Sequence, residues 1–128
     1  MSRALKSIVG IGAASIVTAY VPDFEGMILR GYKDPIGIVT ACAGHTKTAI
    51  LGKPYTTDEC VKLLEEDLAE HAEGADSCVP LNKLTTGRRA AAVSFTYNVG
   101  VGAFCGSTFA RKLKAKDPQA CSELSRWV

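Results

Sequence analysis

Fifteen consecutive residues, Ser7 to Val21 (SIVGIGAASIVTAYV), carry no charge. Arg3 and Lys6 precede the run, and Asp23 and Glu25 follow it. In a membrane that order of charges favours a cytoplasmic N-terminus and an exported C-terminus. As a helix the run would span roughly 22 Å, short of a hydrocarbon core of about 30 Å. Residues 4–21, with the Lys6 ammonium reaching back to the interface, come close to the lower limit for a span. Eight of the fifteen residues are Gly, Ala, Ser or Thr, so the segment partitions weakly. Four readings compete: a cleaved signal peptide, a permanent anchor, a weak anchor that later leaves the bilayer, and a helix buried in a soluble core. No clear small-x-small cleavage site lies just before Asp23, which counts against cleavage.

Past residue 22 the pattern changes. Gly31 to Gly44 mixes glycines and a proline with the β-branched Ile36, Ile38, Val39 and Thr40, which predicts a small hairpin or short sheet. Thr56 and Glu59 form a capping-box signature. Cys60, Leu63, Leu64 and Leu68 then fall on one face, so residues 57–72 are predicted to form an amphipathic helix. Gly74 to Pro80 reads as a loop, residues 85–98 as a second helix with a small, Ala-rich face, and NVGVGAFCGS (98–107) as a glycine-rich turn. Ser107 can cap a short helix through about Lys114. Asp117 and Pro118 open another, because Pro is favourable in a first helical turn. The expected architecture is α+β: a small N-terminal hairpin lobe and a mainly helical lobe, preceded by an N-terminal hydrophobic helix.

Composition narrows the function classes. With 128 residues the chain is at most one modest domain, and 47% apolar residues suffice for a core. A net charge of +2 gives little support to nucleic-acid binding, and Arg88-Arg89 and Arg111-Lys112 read as solvated helix faces. The five cysteines, Cys42, Cys60, Cys78, Cys105 and Cys121, show no CxxC spacing, so no metal site is expected. With an export signal they point to an oxidising compartment, one or two disulfides and at least one leftover thiol. The glycines near residue 100 follow a helix and lack Gly-Lys-Ser/Thr, unlike a phosphate loop.

Candidate chemistry gathers in residues 24–46, FEGMILRGYKDPIGIVTACAGHT. Glycoside hydrolysis needs one carboxylic acid to protonate the leaving oxygen and a second group to hold or activate water. Glu25 has the apolar neighbours Phe24, Met27 and Ile28, whereas Asp34 lies among Lys33, turn glycines and Thr40, a wetter setting. Such a contrast can give two acids different roles, but the spacing alone does not separate them from ordinary surface charge. Cys42 and His45 could be a nucleophilic pair. Three apart, they would tend to face opposite sides, and a structural His45 packed on the 57–72 helix against Asp67 is preferred.

The whole string is more specific. The Glu-x8-Asp-x5-Thr pattern of Glu25, Asp34 and Thr40 resembles that of the phage-type lysozymes, or endolysins. Around it, Gly26, Tyr32-Lys33-Asp34-Pro35-Ile36-Gly37 and Gly44-His45-Thr46 match; so do Leu51-Gly52-Lys53, Tyr55-Thr56, RRAAAVSFTYNVG (88–100), Phe104, Ser107, Thr108 and Arg126-Trp127. With the N-terminal run, the chain looks most like the signal-arrest-release endolysins of lambdoid phages and prophages.

The resemblance implies a lysozyme-like fold over residues 23–128, with residues 1–22 as a signal-anchor segment. It implies hydrolysis of the β-1,4 bond between N-acetylmuramic acid and N-acetylglucosamine by direct displacement, without a cofactor. Glu25 would be the general acid, Asp34 and Thr40 would position and activate water, and Tyr32 and Asn98 are candidate substrate contacts. The implied partners are peptidoglycan glycan strands and, through residues 4–21, the bacterial inner membrane. The chain is expected to be a monomer, tethered with its catalytic domain in the periplasm and then released there. Family members continue past the Arg126-Trp127 position through further helices, so a C-terminally incomplete domain is expected. An inactive wall-binding remnant and a holin-like membrane protein are the rival readings.

Overall fold

The computed structural model describes residues 2–127, without the side chains of Asp23, Phe24, Glu25 and Trp127. Helix α1 (Arg3–Glu25) starts where the Ser2 hydroxyl accepts from the Leu5 N–H at 3.2 Å. It bends at Gly10, whose φ of 85° is outside the helical region and open to a residue without Cβ. Leu5, Val9, Ala13, Ala14, Val17 and Val21 form its buried stripe. That stripe packs on α2 (Thr57–Cys78) and α3 (Thr86–Val99). Close approach to α3 depends on Gly12, where an added Cβ would lie 3.0 Å from the Thr86 methyl. The inner face of the N-terminal run therefore belongs to the main core. Its outer face, Ile11, Ser15, Ile16, Ala19 and Tyr20, is exposed and uncharged. Arg3–Pro22 is also long and apolar enough to cross a membrane.

After α1 the chain turns at Gly26, in a positive-φ conformation that closes a bond to the Pro22 carbonyl at 2.8 Å. An antiparallel pair follows, β1 (Ile28–Lys33) and β2 (Val39–Cys42), with Tyr32 opposite Thr40. Thr56 and Glu59 form both bonds of the capping box that starts α2. The helix buries Cys60, Leu64, Leu68, Ala69, Ala72 and Ala75. It runs on to Cys78, through residues where a loop was expected from Gly74. Gly74 acts here as a packing position, since a Cβ would sit 2.4 Å from a Val101 methyl.

The glycine-rich stretch after α3 is also not a plain turn. Gly100, at φ 94°, ends α3 and begins the short α4 (Val101–Cys105). Ser107 caps α5 (Thr108–Lys114), and a 3-10 helix, Ala120–Trp127, closes the described chain. Phe95, Phe104 and Phe109 meet edge to face with centroids 5.5–6.3 Å apart. Disulfides join Cys42 to Cys60 and Cys78 to Cys105, leaving Cys121 as an exposed thiol. The two basic runs differ from simple solvated faces. Arg88 donates to the Asp117 carbonyl at 2.8 Å, and the half-buried Arg89 packs beside Gly10. Lys112 pairs with the buried Glu123 at 2.6 Å, joining the last 3-10 helix to α5.

Candidate active site

The turn between β1 and β2 is organised around the backbone of one residue, Ile38. The Ile38 carbonyl accepts the Asp34 backbone N–H at 2.9 Å and the Thr40 hydroxyl at 3.1 Å. The Ile38 N–H donates to Asp34 Oδ1 at 2.8 Å, and the Ile36 N–H reaches the same oxygen at 3.0 Å. Asp34 is thereby fixed by the backbone it folds, as Asp side chains in turns commonly are. Thr40 is 6% exposed, and its proton is committed to Ile38. Its oxygen keeps acceptor capacity for a further donor. Ile38 thus couples the two candidate water-positioning residues, a role carried by main chain that side-chain chemistry in the sequence does not reveal. Glu25 ends α1, one residue before the Gly26 turn, and its side chain lies outside the described residues.

Beyond Thr40, Ala41 and His45 exchange N–H···O bonds of 2.8 Å in both directions, closing a tight turn over residues 42–44. The Tyr97 hydroxyl donates to the Ala43 carbonyl at 2.5 Å, so α3 holds this turn from the helical side. His45 is 4% exposed, with Nδ1 2.7 Å from Asp67 Oδ2 and Nε2 2.6 Å from the Thr48 hydroxyl. The Thr48 N–H, 3.2 Å from Nε2, can only donate, which makes Nε2 the acceptor and Nδ1 the donor to Asp67. Burial pushes the Asp67 carboxyl up from its ordinary range and outweighs the opposing hydrogen bond from His45. Cys42 is disulfide-bonded and His45 is paired with Asp67, so they form no nucleophilic pair.

A cavity of about 560 Å³ opens against this turn, lined by Gly44, Thr46, Asp67, His71, Tyr97 and Asn98 among others. Of the two candidate substrate contacts, Asn98 lines it and Tyr32 does not. Asp34 and Thr40 are not in its lining either; Thr40 adjoins in sequence the turn, closed by Ala41 and His45, that contributes Gly44 to it. Lys47 and Glu70 pair across its rim at 3.1 Å, and the His71 ring meets Tyr97 edge-on at 5.1 Å. Sequence reasoning did not single out His71, Glu70 or Tyr97. The available signal was their placement at i+3 and i+4 from Asp67 on α2, and Tyr97 one residue before Asn98 on α3.

A small two-stranded lobe set on a mainly helical body, with a cavity where they meet, is a lysozyme-like architecture. Residues 22–128 match the Phage lysozyme family, and the chain belongs to it. It is 37% identical to a SAR-endolysin of Enterobacteria phage PA-2, over 100% of this chain and 82% of that protein. Identity to a SAR-endolysin of Bacteriophage PS119 is 42%, over 100% and 83% of the two chains. Among solved structures, a P22 lysozyme mutant superposes with a TM-score of 0.77 at 30% identity, covering 88% of this chain and 81% of that one. The muramidase domain of SpmX from Asticaccaulis excentricus gives 0.81 at 27% identity, over 88% and 76%.

Proposed function

We infer that this chain is a muramidase of the endolysin type, hydrolysing β-1,4 bonds between N-acetylmuramic acid and N-acetylglucosamine in peptidoglycan to lyse bacterial cells. The observation that carries the assignment of roles is the Ile38 backbone, whose N–H bonds Asp34 and whose carbonyl accepts from Thr40 at the end of the hairpin. In the reaction Glu25 gives its proton to the leaving sugar oxygen. Asp34 accepts one proton of a water, while the Thr40 oxygen, its own proton held by Ile38, accepts the other hydrogen bond. The water lone pair is then aimed at the anomeric carbon from the face opposite the leaving group, an inverting displacement.

The N-terminal segment has two compatible homes. Its stripe of buried residues completes the folded core, and its uncharged outer face suits a bilayer. The chain is therefore first tethered to the inner membrane through residues 4–21 and becomes competent when α1 leaves the bilayer and docks on α2 and α3. Turnover of purified peptidoglycan by the whole chain tests the activity. Glu25→Gln is expected to lower it by at least about a hundredfold. Binding without turnover by the unsubstituted chain would favour the wall-binding remnant instead.

A further inference from the structure

Cys42 holds a backbone conformation that side chains other than glycine rarely adopt, at φ 59°. It lies two residues from Thr40 and is the first residue of the turn closed by Ala41 and His45. Gly44, in the same turn, also has a positive φ, where glycine is the ordinary choice. Cys42 is 2% exposed, and its sulfur is bonded to Cys60, which is fully buried in the first turn of α2. Ala41, Cys42, Tyr55 and Cys60 form a small core of their own beneath the hairpin. The bond to α2 therefore opposes relaxation of a residue that, unbonded, would favour a negative φ. Relaxation would rotate the peptides on either side of Cys42, break the mutual bonds of Ala41 and His45, and move Thr40 from its place beside Ile38.

Resting on the water-positioning role given above to Thr40, we propose that Cys42, held by its disulfide to Cys60, is a positioning residue for that hydroxyl. The bond's contribution to the reaction is to keep Cys42 in its left-handed conformation. A glycine at position 42 would need no such bond.

Two variants separate this from a general stabilising role. Both lack the bond and keep Cys78–Cys105; they differ only in what position 42 tolerates. Cys42→Ala/Cys60→Ser is expected to lose kcat on peptidoglycan by at least about tenfold, because small displacements of a positioned group are costly. Its KM should change little, since Thr40 acts on water and not on glycan binding. Cys42→Gly/Cys60→Ser is expected to recover a kcat close to that of the unsubstituted chain. Amide exchange gives a second readout that does not depend on turnover. Ala41 and His45 N–H groups should be protected in the unsubstituted chain and in the glycine variant, and should lose protection in the alanine variant. If the unsubstituted chain hydrolyses nothing, the muramidase reading fails while the exchange pattern still tests the role of Cys42. Equal kcat and equal protection in the two variants would overturn the proposal. So would failure of the glycine variant to fold, which would make the bond a support of the fold instead.

Discussion

At Gly31 a single methyl group would have nowhere to go. A Cβ built there would lie 1.8 Å from the Ile50 carbonyl oxygen, and the residue also donates to Lys53 and accepts from Gly52 at 2.9 Å each. Gly31→Ala is expected to destabilise the chain by about 3 kcal/mol, at the upper end of overpacking costs, as measured by denaturant unfolding. An unchanged midpoint would mean the 50–53 segment moves away freely. Asp67 offers a finer contrast. Asp67→Ala leaves the buried His45 Nδ1–H without its acceptor, at an expected cost of about 2 kcal/mol, whereas Asp67→Asn retains an acceptor oxygen and should cost clearly less. Equal losses in the two variants would show that shape, not the hydrogen bond, matters there. In the sequence, Asp34 and Thr40 stand out only through the resemblance of their spacing to a family pattern, not through their side chains alone. Their shared partner does not stand out at all, because Ile38 contributes only its backbone N–H and C=O.

The elements show which sequence signals are local and which depend on packing. The start of α2 was legible from Thr56 and Glu59, since a capping box is made by neighbours in sequence. Its extension past Gly74 was not, because that glycine is used for contact with Val101, a residue 27 positions away. Five cysteines likewise announce disulfides without their pairing. The N-terminal run was ambiguous for a physical reason: an uncharged helix satisfies a bilayer and a protein core alike. Ser15 and Ala19 are exposed on the docked α1, so Ser15→Leu/Ala19→Leu should leave the folded core intact while deepening membrane partitioning. The expected result is more chain in the membrane fraction and delayed lysis; lysis on the original schedule from a chain that stays in the membrane would contradict the release step. The last 3-10 helix is expected to be held less firmly in acid. The Lys112 ammonium holds the Glu123 carboxyl below its usual range. A lowered folded-state value contributes stability at neutral pH that is lost as pH falls through it. Glu123→Gln should therefore lower Tm at pH 7 and approach the parent Tm in acid; a difference constant with pH would remove Glu123 ionisation as the cause.

For the molecule as a whole, the fold unites three pieces that the sequence presents separately: the apolar N-terminal run, the hairpin with Asp34, and the helical body. Helix α1 both completes the core and ends at Glu25, so the placement of the candidate acid depends on where the whole segment resides. On the proposed release, docking of α1 and assembly of the cleft are one event. The most direct test is release of reducing ends from purified peptidoglycan by the 128-residue chain, beside Glu25→Gln and Asp34→Asn. The unsubstituted chain is expected to turn over the substrate, with both variants folded and reduced by at least about a hundredfold. Turnover by Glu25→Gln equal to that of the unsubstituted chain would contradict the assignment of the acid and, with it, the account of how this cleft works.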